Sequence, residues 1–323
     1  MRIVTQSRYG GPEVLDIREV PRPAPRENEV LVRVEAFSVT LADCAFRKAD
    51  PFLVRFFAGL LRPKNLVLGD DIGGVVEAVG SGVTRLKVGD AVCGSVGANL
   101  GGAADYVCLG EHEAIVRRPT ALDAGQAAGL SYGFLTAMPF IRDEGQVKPG
   151  DKVLINGAAS SVGYVAVQLA RHFGAEVTAV CSGRHEALVR SLGADRVIDR
   201  TMVDFTTAGG TYDVIFDAVG KSSFGRCEAA LKPGGIYLTT VPSLAIVWHM
   251  LTRRKPGKRG RLATTGLRPV ADKLRDMQVM AELVDAGALR AVVDRRFALA
   301  QVAEAHRHVE TERKAGDVVV ELA

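Results

Sequence analysis

The sequence predicts an α/β protein in two parts, a β-rich barrel-like domain and a doubly wound parallel sheet. The chain has 323 residues, more than one ordinary core accommodates. Residues 1–120 carry short runs of alternating polar and apolar residues broken by Gly and Pro, the pattern of half-buried strands. Beyond Asp151, strand-like and helix-like runs alternate, which argues for β-α-β units on a parallel sheet.

In chain order, Glu29 to Ala36 alternates as a strand with one buried face, and Gly73 to Gly80 is a second strand bounded by glycines. Lys87-Val88-Gly89-Asp90 turns into a third. A helical pattern covers 121–141 and ends at Pro149-Gly150. Strands are expected at Lys152–Asn156, Glu176–Cys181, Arg196–Asp199, Asp213–Asp217 and Gly235–Thr240. Helices are expected between them at Val162–Phe173, Glu186–Leu192 and Ser223–Leu231. Helix Val270–Ala286, Val292-Val293-Asp294, helix Leu299–Glu310 and strand Asp317–Leu322 complete the chain.

Hydrophobic residues make up 47% of the chain, charged residues 24%, and the net charge is +4. That charge is too small for this length to imply nucleic-acid binding. No apolar run reaches a membrane span, and Met1-Arg2-Ile3-Val4 reads as a strand and not a signal peptide. The five cysteines are scattered without a C-x-x-C pair, so reduced thiols and a cytoplasmic location are expected.

The strongest motif runs from Val153 to Gly163, where a buried strand enters the small-residue turn Asn156-Gly157-Ala158-Ala159-Ser160-Ser161 and a helix opens. Small residues let the backbone approach a pyrophosphate, and a helix N-terminus presents N–H groups and partial positive charge. The strict G-x-G-x-x-G is absent, and a plain tight connection would look similar out of context. The next strand supplies that context. It ends Val180-Cys181-Ser182-Gly183-Arg184, without the acid that holds the ribose 2′-hydroxyl of NAD. Ser182 and Arg184, with Arg200 after the following strand, suit a 2′-phosphate, so NADPH is the expected cofactor.

The run from Lys152 to Asp199 resembles the zeta-crystallin-like quinone oxidoreductases of the medium-chain dehydrogenase/reductase superfamily. Gly10-Gly11-Pro12-Glu13-Val14-Leu15, Val79-Gly80-Ser81-Gly82-Val83, Lys87-Val88-Gly89-Asp90, Leu135-Thr136-Ala137 and Ala218-Val219-Gly220 extend the resemblance over nearly the whole chain. It implies a GroES-like catalytic domain (1–122 and 268–323) and a Rossmann domain (123–267). It also implies a homodimer formed through Rossmann edge strands, either Gly235–Thr240 or one near Leu262. Cofactor contacts are expected from Thr136, Gly157, Ala158, Ser160, Ser161, Val162, Gly163, Ser182, Arg184, Arg200, Ala218, Val219, Gly220 and Val241. Family members often carry Gly at the positions of Ser160 and Ser161, Asn at Thr40, Tyr at Arg200 and Lys at Asp317.

Zinc-dependent relatives bind the metal through a Cys, a Gly-His-Glu and a later Cys or Asp. By resemblance these positions hold Thr40, Gly69-Asp70-Asp71 and Tyr132, so no bound zinc is expected. Without a Lewis acid, alcohol oxidation is disfavoured, whereas quinones and enones are already electrophilic. The expected reaction is hydride transfer from NADPH to a quinone or α,β-unsaturated carbonyl. Thr40, Tyr132 or water would meet the developing oxyanion. Asp43 is expected either near substrate or as a helix cap, and Asp71 in a structural hydrogen bond or ion pair. Alternatives are an enoyl reductase acting on acyl thioesters and a low-turnover NADPH-binding structural or RNA-binding protein. Residues 246–261 place the single Trp and an apolar stretch before six basic residues. They read as a solvated loop over the pocket or a weak membrane-surface contact.

Overall fold

A computed structural model describes every residue except 51, 53, 65, 66, 98, 99, 208–210, 253–256, 264 and 323. The chain divides into two units, Met1–Tyr132 with Pro269–Ala323, and Gly133–Arg268.

In the first unit the antiparallel pair β1 (Arg2–Gln6) and β2 (Leu15–Glu19) precedes the long strand β3 (Glu29–Val39). Helices α1 (Leu41–Lys48) and α2 (Val54–Ala58) follow. Strands β4 (Asp71–Val79), β5 (Ala91–Ser95), β6 (Tyr106–Gly110) and β7 (Ile115–Arg117) come next. Helix α3 (Ala124–Met138) contains the division between units. It continues into a π-turn at Pro139–Glu144, where Pro139 has no N–H to keep the tighter ladder.

The second unit runs β8 (Lys152–Asn156), α4 (Ser161–His172), β9 (Glu176–Cys181), α5 (Glu186–Ser191), β10 (Arg196–Asp199) and β11 (Tyr212–Asp217). It ends with α6 (Phe224–Cys227), β12 (Leu231–Thr239), α7 (Leu244–Thr252) and β13 (Arg259–Leu262). The chain then returns to the first unit as α8 (Val270–Asp285), β14 (Val293–Ala298), α9 (Val302–Glu310) and β15 (Asp317–Glu321).

Strand β3 is the spine of the first unit. One edge pairs with β4, while the other is shared by β6 along Glu29–Arg33 and β15 along Ala36–Val39. Among the described residues the sheet order is β14-β15-β3-β4-β5-β7, with β6 joining β3. Val30, Val32, Val34, Ile72, Val76, Val318 and Val320 bury their β-branched side chains in its core, as a pleated half-buried surface favours.

In the second unit, six parallel strands among the described residues lie in the order β10-β9-β8-β11-β12-β13. This is the doubly wound order, with its reversal between β8 and β11, the place where sheets of this order open a crevice at their carboxyl ends. Three expectations need correction here. Residues 246–261 are not a loop: α7 and the edge strand β13 occupy most of them, while Arg253, Arg254, Lys255 and Pro256 lie outside the described residues. The helix expected over Ser223–Leu231 is short, because a 3₁₀ turn at Glu228–Ala230 follows α6 and Leu231 already begins β12. Strand β12 is interior, paired on both sides, which leaves β13 at the sheet edge.

Helix α3 carries Gly125, Gly129 and Gly133 four residues apart, on one face. In the first unit this face lies directly on β15: a Cβ at Gly125 would sit 3.3 Å from Val319 Cγ1, and one at Gly129 2.5 Å from Asp317 Cβ. In the second, a Cβ at Gly133 would sit 2.6 Å from the Ser161 carbonyl oxygen. Gly129→Ala therefore sets a helix-propensity gain of about 1 kcal/mol against overpacking of about 1–3 kcal/mol. The clash involves the base of a buried side chain, so overpacking wins. Thermal unfolding of Gly129→Ala is expected a few degrees below wild type, and an unchanged or higher Tm would show that α3 can draw back from β15.

Candidate functional site

The first part of the site is the turn that leaves β8. Gly157 has φ 78°, where a Cβ is strained, and its N–H and that of Ala158 both donate to Val180 O at 3.0 Å. The turn is thus bolted to β9. Ser160 caps α4, its Oγ accepting from Gly163 N at 3.1 Å. A Cβ at Gly163 would collide with the Gly157 carbonyl oxygen. Ala158, Ala159, Ser161 and Val162 are buried beneath the turn. Side chains are excluded where a diphosphate would approach, and the α4 N-terminus adds N–H groups, so these residues fit a dinucleotide.

Asp217, fully buried at the end of β11, organises the second turn. Its carboxylate accepts from Asn156 Nδ2 at 2.9 Å, Tyr237 OH at 3.0 Å, Ser222 N at 2.7 Å and Lys221 N at 3.3 Å. Ala218 N donates to Asn156 O at 3.1 Å. The turn Ala218-Val219-Gly220 is therefore fixed beside the end of β8. Gly220 has φ 63° and lies against Val241, leaving no room for a Cβ.

The third corner lies at the ends of β9 and β10. Arg200 N donates to Cys181 O at 2.9 Å, which places residue 200 beside Ser182. Ser182 opens the 3₁₀ turn Gly183–His185, and Arg184 is exposed with its Nε on His185 Nε2 at 3.0 Å. Asp199 stands in the same corner. Its Oδ1 accepts from Thr201 N at 2.9 Å and Thr201 Oγ1 at 2.7 Å, which holds its pKa below the usual carboxylate range. A Cβ at Gly183 would fall 2.5 Å from Asp199 Oδ2. Thr136 lies half-buried on α3.

In the first unit, the positions singled out around Thr40 form a buried acidic cluster. Thr40 is the N-cap of α1, and Asp43 is its third helical residue. Thr40 N and Oγ1 donate to Asp43 Oδ2 at 2.8 and 2.6 Å, and Asp43 N donates to Thr40 Oγ1 at 3.1 Å. This is a reciprocal capping box, so the cap is Thr40 and not Asp43. Burial pushes Asp43 up to about 6, against the Thr40 hydrogen bonds, with Asp70 adding to the rise. Asp70 accepts from Ser95 Oγ at 2.6 Å and Gly97 N at 3.1 Å, and burial raises it too. Asp71 is 2% exposed and is pushed well above the ordinary carboxylate range, first by burial and then by Asp70, Asp43 and Asp317. Half-buried Tyr132 faces the same carboxylates, and with burial they keep it a phenol. Asp317, where family members often carry Lys, is buried here.

Cys44 turns the other way. Its Sγ lies 3.4 Å from His306 Nδ1, beside Arg47, which is buried and paired with Glu310. Burial raises the thiol to about 12 and lowers the imidazole to about 3, so both stay neutral packing groups.

Residues 26–120 match the family described as Alcohol dehydrogenase GroES-like domain, and residues 192–320 the family described as Zinc-binding dehydrogenase. A quinone oxidoreductase of Pseudomonas aeruginosa is 31% identical, over 97% of this chain and 97% of its own length. This chain belongs to the quinone oxidoreductase family of the medium-chain dehydrogenase/reductase superfamily. A chloroplastic NADPH-dependent alkenal/one oxidoreductase of Arabidopsis thaliana is 31% identical over 99% of this chain and 79% of its own. The structure of the quinone oxidoreductase from Coxiella burnetii superposes with a TM-score of 0.87 at 28% identity, covering 100% of this chain and 99% of that one.

One family description names zinc, and the residues here do not fit it. The positions that by resemblance would carry the ligands hold Thr40, Asp70 with Asp71, and Tyr132, which supply no thiolate and no imidazole. Thr40 and Asp43 are engaged with each other, and Cys44 with His306. Among the described residues no group of three or more His, Cys, Asp or Glu is placed to hold a metal ion.

Sequence reasoning passed over Asp217, Asp199 and Gly133. Asp217 and Asp199 each end a predicted strand, where a carboxylate reaches the next turn, and Gly133 stands in register with two other helix glycines. These were the available signals.

The acidic cluster makes stability depend on pH in a defined sense. A carboxyl raised on folding contributes stability that is complete below its unfolded pKa, about 4, and is lost as pH rises through the folded value. Asp71→Asn removes that titration while keeping the shape of the protonated acid. The stability advantage of Asp71→Asn over wild type is expected to be near zero at pH 4 and to grow by up to about 1.4 kcal/mol per pH unit above it. The comparison also cancels the opposing titration of His306. Urea unfolding of both proteins from pH 5 to 8 measures it, and a pH-independent difference would show that Asp71 is not raised.

Proposed function

We propose that this chain reduces quinones or α,β-unsaturated carbonyls with NADPH and without zinc. The observation that supports it best is the Gly157–Gly163 turn, where side chains are sterically excluded and α4 begins. NADPH, when bound, supplies the hydride. Gly157, Ala158, Ser160, Ser161, Val162 and Gly163 cradle the diphosphate, and Ala218, Val219, Gly220, Val241 and Thr136 position the nicotinamide half. Ser182, Arg184 and Arg200 receive the 2′-phosphate, beside Asp199, whose Oδ1 is held by Thr201. Thr40 already donates its hydroxyl proton to Asp43, so Tyr132 is the group left to donate a hydrogen bond to the developing oxyanion. An electrophilic acceptor needs no stronger protein acid. The chain also pairs with a second copy through β13, which among the described residues ends the sheet.

Turnover assays across quinones, enones and acyl thioesters test the reaction. Quinones or enones are expected to turn over, and activity confined to acyl thioesters would replace this reading with an enoyl reductase. Arg184→Ala is expected to lower kcat/KM for NADPH about tenfold to a hundredfold, since a charge-assisted hydrogen bond contributes about 1.5–3 kcal/mol. NADH use should barely change. Ser182→Asp should lower NADPH use further, because its carboxylate repels the phosphate. Equal loss for both cofactors, or wild type using them equally, would contradict the 2′-phosphate assignment. Light scattering is expected to show twice the 34.4 kDa chain mass, and a single-chain species at micromolar concentration would remove the pairing.

A further inference from the structure

We propose that a cavity inside the second unit, formed by α6, α7 and the end of β12, binds the apolar tail of the substrate. The proposal rests on the quinone or enone reading and adds a substrate class to it: acceptors carrying an alkyl or isoprenoid chain. The cavity holds about 450 Å³, within the range of pockets that enclose organic ligands. Its wall is built by close approach. A Cβ at Gly260 would sit 2.9 Å from Ile246 Cδ1 and 3.0 Å from both His249 Cδ2 and Phe224 Cδ2. The missing side chain thus lets α7 settle over β13. The Phe224 and His249 rings pack with centroids 3.9 Å apart.

Two properties choose the ligand. The first is charge: among the described residues no Asp, Glu, Lys or Arg lines the cavity. A phosphate or carboxylate would find no counter-ion there, whereas a neutral hydrocarbon gains by leaving water. The Tyr237 hydroxyl, which also faces it, is committed to Asp217. The second is position. Gly220 and Val241, assigned above to the nicotinamide half of the cofactor site, also line this cavity. A substrate with its reacting head at that end has a path for its tail into the space under Trp248.

Trp248 is the only tryptophan in the chain and lines the cavity, so its fluorescence reports occupancy without turnover. The protein is titrated with para-benzoquinone and its butyl and decyl derivatives, with and without saturating NADP⁺, and KM is measured for each. Each methylene drawn into the cavity is expected to tighten quenching and lower KM by about two- to fourfold, with NADP⁺ leaving the trend intact. Gly225→Leu fills the cavity from a position where a Cβ meets no atom within 4 Å. It should abolish the tail dependence while leaving kcat/KM for unsubstituted para-benzoquinone unchanged. The wild-type series stands whether or not this variant folds. Quenching and KM that ignore tail length would overturn the proposal, as would tail dependence that survives Gly225→Leu. Loss of the tail trend on adding NADP⁺ alone would give the cavity to the cofactor. Failure of all three quinones to turn over would count against the quinone reaction instead, and Trp248 quenching would still read the cavity.

Discussion

Asp217 ends β11 with no exposed surface, and its carboxylate gathers donors from three directions: the Asn156 side chain at the end of β8, the Tyr237 hydroxyl of β12, and the backbone of the turn that follows it. Both turns of the second unit's candidate site leave the sheet at these strand ends. Their positions therefore depend on one group that cannot move without leaving several buried donors unmatched, at about 1–3 kcal/mol each. The doubly wound order puts β8 and β11 side by side. The carboxylate then sets where the chain goes once the ladder stops.

Around this fixed point the turn from β8 into α4 is shaped by omission. Gly157 takes a backbone conformation that disfavours a side chain, and Gly163 lies where one would strike the turn itself. Ser160 and Ser161, where family members often carry Gly, are accommodated because one caps α4 and the other is buried in its first turn. The two positions where a Cβ is strained or collides, Gly157 and Gly163, are glycine.

The first unit shows a different balance. Asp43, Asp70, Asp71 and Asp317 come together with Tyr132, and of these Asp70, Asp71 and Tyr132 stand where the resemblance puts the ligands of metal-dependent relatives. Carboxylates crowded out of water cannot all stay ionised, and protonation relieves them at less cost than full desolvation of several charges. The outcome is a site that keeps a phenol and carboxyls raised above their ordinary range at hand, suited to hydrogen bonding.

Strands β8, β9 and β10 were legible from the sequence with the bounds the structure has: β8 and β9, inside the parallel sheet, read as largely apolar runs between turn residues, and β10, at its edge, as a short run closed by Asp199. The turn from β8 into α4 was legible for a related reason, since its requirements are local: small residues, a cap and a helix start. Helix α7 was not. Its apolar residues carry no one-sided period to distinguish a helix from a covering loop, and only its packing on β13 decides. The capping of α1 by Thr40 lay within three residues, yet choosing between Thr40 and Asp43 as the cap needed the helix start to be known. The meeting of Asp43, Asp71 and Asp317 had no local signal, because β3, β4 and β15 bring them together through strand pairing across the length of the chain. Local chemistry is written in consecutive residues, whereas the electrostatic character of a site is set by which distant residues share one volume out of reach of water.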